Sequence, residues 1–265
     1  MGRSMWTGVI SFGMVSIPVK LHTATESHGV NFHQLHKKCD TRIKELRYCP
    51  HCKRNVEWEE IVKGFEYAKN EYIELTAADF EQLPLPSKHT IDVSNFVELQ
   101  EIDPIYYDST YYLEVDKAGL KPYRLLVDAL SSKNMAGIAT IAFRNKERLC
   151  ALRPMGKTLM LQTLLYADEI KSMEDAPKSS VSISAQEKKM ASSLIGAMTS
   201  TFEPKKFKDK YQAALKKLIA AKLKGTTLKQ PKVTAPTQAI DLMAALKASM
   251  NNISKRTKSG SGKVA

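Results

Sequence analysis

The sharpest chemical signal in this chain is His36, two residues, Cys39, nine residues, then Cys49-Pro50-His51-Cys52. Two pairs of soft donors, each with a two-residue gap, suit the tetrahedral coordination of one Zn²⁺. A proline directly after Cys49 matches the tight turn of a zinc knuckle. The spacing predicts a zinc held by His36, Cys39, Cys49 and Cys52, with His33 and His51 as competing histidines. The nine-residue loop is too short for a folded subdomain, and no fifth group marks an open coordination position. The expected metal is therefore structural. The competing reading is three ordinary thiols beside a surface histidine. Cys150 falls in a strand pattern and reads as a core residue.

A second constellation is cationic. Arg144, Lys146 and Arg148 surround a predicted strand turn, and Arg153 stands at the next one. Cations on a fixed scaffold at phosphate spacing are what sequence-independent binding of duplex nucleic acid requires. A merely soluble turn would have the same composition. Residues 37–54 form another basic stretch, with Lys37, Lys38, Arg42, Lys44, Arg47, Lys53 and Arg54 against Asp40 and Glu45.

Enzyme signatures are missing. Gly156-Lys157-Thr158 looks like the end of a phosphate loop, but Ala151 stands where the motif needs its first glycine, and a strand pattern follows instead of a helix. There is no G-x-S-x-G, no H-E-x-x-H and no recognisable carboxylate pair. The expectation is a binding protein without catalysis.

The elements that must position these residues read as a β-rich body followed by helices. Trp6 to Ala24 alternates like a strand interrupted by glycines, and Pro18 suggests an edge or a strand start. Tyr67 to Leu75, Ile91 to Leu99 and the Tyr-rich Pro104 to Val115 also read as strands. Thr76 to Leu83 and Tyr123 to Ser131 read as helices. Residues 137–166 predict a three-strand meander, with turns at Asn145-Lys146-Glu147 and Pro154 to Lys157. Ser184-Ala185-Gln186-Glu187 is a capping box, which predicts a helix to about Phe202. A second helix is expected from Pro204 to about Lys224, stopped by Gly225. Residues 226–237 read as a linker, Ile240 to Met250 as a short amphipathic helix, and 254–265 as a basic Ser/Gly-rich tail. The short helix would either dock a partner's groove or pack back on its own body.

Charge follows the same division. Residues 201–265 hold 15 Lys/Arg against 3 Asp/Glu, whereas residues 1–200 hold 25 of each. The whole excess of +12 thus lies in the C-terminal quarter, which suggests a polyanionic partner or a solvated tail. No run of 18 apolar residues crosses a membrane, and the apolar stretch 8–19 lacks a signal-peptide cleavage site. Four cysteines in 265 residues form no disulfide framework. The expected location is intracellular.

Several of these segments together resemble the bacterial Ku family. The start, Met5-Trp6-Thr7-Gly8-Val9-Ile10-Ser11-Phe12-Gly13-Met14-Val15-Ser16-Ile17-Pro18-Val19-Lys20-Leu21, is similar to that family's opening signature. Phe32-His33-Gln34-Leu35-His36, Ile61-Val62-Lys63-Gly64-Phe65-Glu66-Tyr67, Glu101-Ile102-Asp103-Pro104-Ile105-Tyr106, the meander Arg144 to Arg153, and Leu164-Leu165-Tyr166-Ala167-Asp168-Glu169-Ile170 match as well. The resemblance covers about residues 3 to 250. It departs at Met14, where leucine is usual, and at Phe65, where tyrosine is usual; the basic tail is short. The cysteine pairs occur in only part of the family, so a metal is not essential to the fold in general.

The resemblance implies a mainly β protein with α (α+β): a Ku-type β-barrel core with bridge strands and a C-terminal helical arm, forming a ring-shaped homodimer around duplex DNA. It divides the chain into a core over 1–183 that includes the zinc-knuckle-like segment 36–52, a dimerising arm over 184–225, and a linker, docking helix and basic tail over 226–265. The implied function is non-enzymatic binding of double-stranded DNA ends in non-homologous end joining, in the bacterial cytoplasm at the nucleoid. DNA-binding candidates are Lys20, Arg144, Lys146, Arg148 and Arg153. The family's C-terminal region recruits an ATP-dependent ligase, ligase D; Ile240, Leu242, Met243 and Leu246 match its docking stretch. The competing function is a zinc-containing, sequence-specific DNA-binding regulator, which would need a recognition helix aimed at base edges. A nuclease would need a Mg²⁺-binding carboxylate cluster.

Overall fold

The alternating N-terminal segment forms two strands, because Gly13 and Met14 turn it back on itself. Gly13 sits at φ +58°, in the left-handed region that a side chain disfavours. The resulting hairpin, β1 (Trp6–Phe12) and β2 (Val15–Thr23), pairs Phe12 with Val15 and Trp6 with Leu21. Gly8 has a different reason for lacking a side chain: a Cβ there would lie 2.2 Å from the His89 carbonyl oxygen. That carbonyl accepts a hydrogen bond from the Val9 amide.

The computed structural model describes residues 4–27, 29–82, 89–143, 146–171, 182–226 and 243–251. After the first hairpin come two more, β3 (Tyr48–Cys49) with β4 (Arg54–Asn55) and β5 (Lys63–Ala68) with β6 (Glu71–Leu75). The short helix α1 (Ala77–Glu81) begins at the Thr76 cap. Then follow β7 (Thr90–Glu98), β8 (Tyr107–Val115), α2 (Leu120–Lys133), β9 (Met135–Phe143), β10 (Lys146–Met155) and β11 (Thr158–Leu164). Seven strands close a barrel in the order β1-β2-β8-β11-β10-β9-β7, sealed by a parallel pairing of β7 with β1. Closure leaves the barrel no free edge. Pro18 is tolerated within β2 because pairing with β8 starts only at Val19.

Strand alternation sends one set of side chains inward. Ile10, Ile17, Val19, Leu21, Ile91, Leu113, Ile141, Cys150, Leu152, Leu159 and Leu161 are nearly inaccessible and form one cluster. Helix α2 adds Tyr123, Leu126, Val127 and Leu130 to it, each contributing on the order of 2 kcal/mol by leaving water. The Tyr123 hydroxyl donates to the Leu113 carbonyl at 2.9 Å and accepts from the Leu159 amide at 2.7 Å, so the helix is tied to the strands it covers. Burial pushes the Tyr123 hydroxyl pKa up, which keeps that donor protonated.

The chain divides into two compact units, Met1–Ser172 and Met173–Ala265. The second contains α3 (Ala185–Met198), α4 (Lys210–Leu223) and a helix over 243–251, here α5. Its described part has almost no interior: Ala221 is its buried apolar residue, while Ile183, Ile195, Met198, Phe202, Phe207, Tyr211 and Leu223 are exposed.

Element boundaries differ from the sequence reading in a few places. Helix α3 stops at Met198 rather than near Phe202. Pro204 opens a separate 3-10 turn, Pro204–Lys206, and α4 starts later, at the Asp209 cap, whose carboxylate accepts from the Gln212 amide at 2.9 Å. Lys146 and Glu147 belong to β10, with Lys146 opposite Phe143, because ladder pairing extends further than the polar composition suggests. Pro154 and Met155 likewise continue the strand, leaving Gly156-Lys157 as the turn. No helix among the described residues is long and apolar enough to cross a membrane.

Candidate nucleic-acid interface

The described residues hold no group of three or more His, Cys, Asp or Glu side chains placed to bind a metal ion; the barrel unit also carries candidate cations. Their availability is set by their neighbours. Lys20, on β2, is held 3.0 Å from the Asp116 carboxylate, which raises its pKa. Arg148 on β10 lies 3.4 Å from Asp108. The Asp108 carboxylate also accepts from the Thr163 hydroxyl at 3.2 Å. Arg153, half-buried, donates its Nε–H to the Gln162 side-chain oxygen. Lys146 is exposed at the start of β10. Arg144 lies outside the described residues.

Strand geometry separates these groups further. Side chains alternate along β10, so Lys146 and Arg148 share the parity of the core residues Cys150 and Leu152, and Arg153 has the opposite one. Lys146 and Arg148 therefore stand beyond the core at one barrel end. Arg153 and Gln162 lie on the outer face, where Gln162 also donates to Thr110 at 3.1 Å. Among the described candidates, Lys146 and Arg148 thus share one face of β10 and Arg153 the other.

The unencumbered cations lie instead on the segment between β2 and β5. Lys37, Lys38, Arg42, Lys44 and Lys53 are exposed, and among the described residues none has a carboxylate within ion-pair distance. Arg54 donates both ends of its fork to Glu60, at 2.5 and 3.0 Å, which holds the Glu60 carboxyl at a pKa of about 2. The Arg47 guanidinium stacks 4.2 Å above the Trp58 ring. Sequence reasoning noted this basic run but did not rank it as a site; its signal is the excess of seven Lys/Arg over two Asp/Glu between Lys37 and Arg54. In the following hairpin, Phe65, Tyr67, Tyr72 and Ile73 are exposed on β5 and β6.

The predicted metal ligands come together in pairs. The His36 Nδ1 lies 3.1 Å from the Cys39 Sγ. The Cys52 amide donates to the Cys49 Sγ at 3.4 Å. Cys150 is buried, and burial raises its thiol pKa to about 12, so it is an inert core residue.

In the second unit, Met243 and Leu246 lie on α5, and both are half-buried, as is Met250. Gln186, Lys189, Met190 and Ser193 of α3 line a groove of about 620 Å³ with Lys247, Met250 and Asn251 of α5. The amphipathic segment thus borders one groove together with α3. Ile240 and Leu242 lie outside the described residues, as does the basic tail.

Comparison with known proteins places this arrangement. The family model described as the Ku70/Ku80 beta-barrel domain matches residues 11–190. The "Non-homologous end joining protein Ku" of Heliobacterium modesticaldum is 43% identical over 259 residues, 97% of this chain and 94% of the relative. The protein of the same name in Desulfitobacterium hafniense is 40% identical, covering 94% of this chain and 87% of its own length. That of Archaeoglobus fulgidus is 42% identical, covering 84% and 89%. With a closed barrel where the family model matches, and near-full-length relatives on both sides of the comparison, the chain belongs to the Ku family.

Proposed function

We propose that two copies of this chain close a ring around duplex DNA at a broken end, without catalysis and without reading sequence, and pass that end to an ATP-dependent ligase of the ligase D type. The observation that carries this reading is the near-full-length similarity to relatives named for non-homologous end joining. Two features of the chain support it. Lys37, Lys38, Arg42, Lys44 and Lys53 are free to meet phosphates, which carry no sequence information. The exposed apolar side chains of the arm, among them Phe202, Phe207 and Tyr211, need a covering surface, and a second arm of the same kind supplies one.

Preference for ends then follows from topology: a closed ring threads DNA only from a terminus. Lys146 adds a further phosphate contact. Lys20, Arg148 and Arg153 act mainly in holding the strands, since each already has a partner. The docking stretch Ile240, Leu242, Met243 and Leu246 engages the ligase by leaving α3 or by presenting its outer face.

A binding competition tests the core of the proposal. Labelled linear duplex is challenged with equal masses of unlabelled linear DNA and covalently closed circle. Displacement by the linear competitor alone is expected. Equal displacement by the circle would make the protein a general DNA binder, and the ring would have to be abandoned.

A further inference from the structure

A groove of about 520 Å³ lies on the barrel unit, between the first half of α2, the end of β8 and the β10–β11 turn. That is within the size range of ligand pockets. Its floor is apolar: Leu113, Tyr123 and Val127 are buried there, and Leu120 beside them is 40% exposed. Its walls are fixed. The Tyr123 hydroxyl ties α2 to β8 and β11. At the head of α2, a Cβ on Gly119 would lie 2.9 Å from the Pro18 Cδ and 3.1 Å from the Val115 Cγ2, so the chain there is packed tightly on β2 and β8. On the other side, the Thr158 hydroxyl donates to the Met155 carbonyl at 3.0 Å and closes the turn around Gly156. Fixed walls spare a ligand the ordering cost of binding.

Two cations line this groove, Arg124 on α2 and Lys157 on the turn. Both are exposed, and among the described residues neither has a carboxylate within ion-pair distance. Asp128 follows Arg124 by one helical turn, but a cation placed N-terminal to its carboxylate is the weaker i, i+4 order. Glu114, the other acid lining the groove, has its carboxylate 2.8 Å from the His22 Nε2. The neighbouring Asp116 is held by Lys20. The uncommitted charge at the groove is therefore mainly positive.

We propose that this groove docks a short acidic segment of a partner protein. An apolar side chain enters between α2 and the turn, and a flanking carboxylate meets Arg124 and Lys157. Two other occupants suit the groove less well. A duplex backbone has no apolar side chain to fill the floor, and Glu114, Asp116 and Asp128 would face its phosphates. The arm of a second copy does carry exposed Phe202, Phe207 and Tyr211, but Lys205, Lys206, Lys208 and Lys210 stand among them and would meet like charge. An acidic segment with an apolar anchor satisfies the floor and the cations together, in the way that short peptides engage grooves through a few anchors. The assignment goes beyond DNA binding and does not rest on it.

The test uses the full-length protein and a phage-displayed library of random peptides, with binders selected in the absence of DNA. We expect the selected sequences to share a large apolar residue flanked by Asp or Glu. A synthetic peptide of that consensus, followed by fluorescence anisotropy, should bind about tenfold more weakly to Arg124→Glu and to Lys157→Glu. Arg124→Lys, which keeps the charge, should retain most of the affinity. Both positions are exposed, and thermal unfolding verifies that each variant is folded. A basic or uncharged consensus would overturn the proposal, as would a peptide that binds the double variant Arg124→Glu, Lys157→Glu as well as it binds the parent. A lowered salt slope for duplex binding in that double variant would make the groove a DNA surface instead. Loss of dimerisation in it would make the groove an interface between copies. Selection and titration are carried out without DNA, so their outcome is independent of the end-binding competition.

Discussion

At the scale of single residues, what separates one cation from another is what it already touches. Lys20 and Arg148 spend their charge on Asp116 and Asp108, whereas Lys37, Lys38, Arg42, Lys44 and Lys53 are exposed and unpaired among the described residues. Each lysine or arginine that neutralises a phosphate adds roughly 0.9 to the slope of log affinity against log salt. We therefore expect Lys37→Gln, Lys44→Gln and Lys53→Gln each to lower that slope by about 0.9 per site engaged, equally on all duplex sequences. Lys20→Gln should leave the slope unchanged. Fluorescence anisotropy titrations over a salt series make the comparison. A slope change confined to Lys20→Gln would reverse the assignment. The buried Cys150 illustrates the same point for thiols: its pKa of about 12 follows from its neighbours, not from its residue type.

At the scale of elements, the arm helices depend on their caps because they bury so little. The Ser184 hydroxyl accepts from the Glu187 amide at 3.2 Å, and the Glu187 carboxylate accepts from the Ser184 amide at 2.7 Å. The Ser184 hydroxyl and amide hold the Glu187 carboxyl below the ordinary carboxylate range. A depressed folded-state pKa means stabilisation that is complete above the unfolded value and lost as pH falls through the folded one. Amide-exchange protection in the first turn of α3 should therefore hold at neutral pH, persist below the ordinary carboxylate pKa, and fade only in more acid solution. In Ser184→Ala, protection in that turn should fall at neutral pH too. Protection that fades already at the ordinary glutamate pKa would show that the capping box contributes nothing. The barrel strands, whose bonds are closed on both sides, should exchange independently of this change.

At the scale of the whole molecule, the two units are expected to separate functions. The barrel unit closes its own core, whereas the arm exposes the apolar residues that a second chain would cover. A chain truncated after residue 226 should still dimerise and bind linear duplex, and should lose stimulation of the ligase. A chain truncated after residue 183 should sediment as a monomer and lose the preference for ends. Sedimentation velocity and ligation assays with the purified ligase read the two effects separately. Dimerisation that survives the shorter truncation would move the interface to the barrel unit, where exposed Phe65, Tyr67, Tyr72 and Ile73 are the alternative surface.

Local chemistry was legible in the residues themselves. The period-two pattern of Ile91–Leu99 and the meander from Gly137 onward identified strands, since alternation reports a half-buried pleated surface directly. Ser184 with Glu187 marked a helix start, and Gly225, at φ 68°, a helix stop, because capping is a contact between near neighbours. The long opening motif from Met5 to Leu21 pointed to the family. What the one-dimensional pattern could not carry was any relation between distant residues. It could not show that β7 returns parallel to β1 and seals a barrel. Nor could it show that Asp116 and Asp108 pair with two of the favoured cations. Those outcomes depend on which strand lies beside which, and pairing of that kind is decided by closure of the whole core.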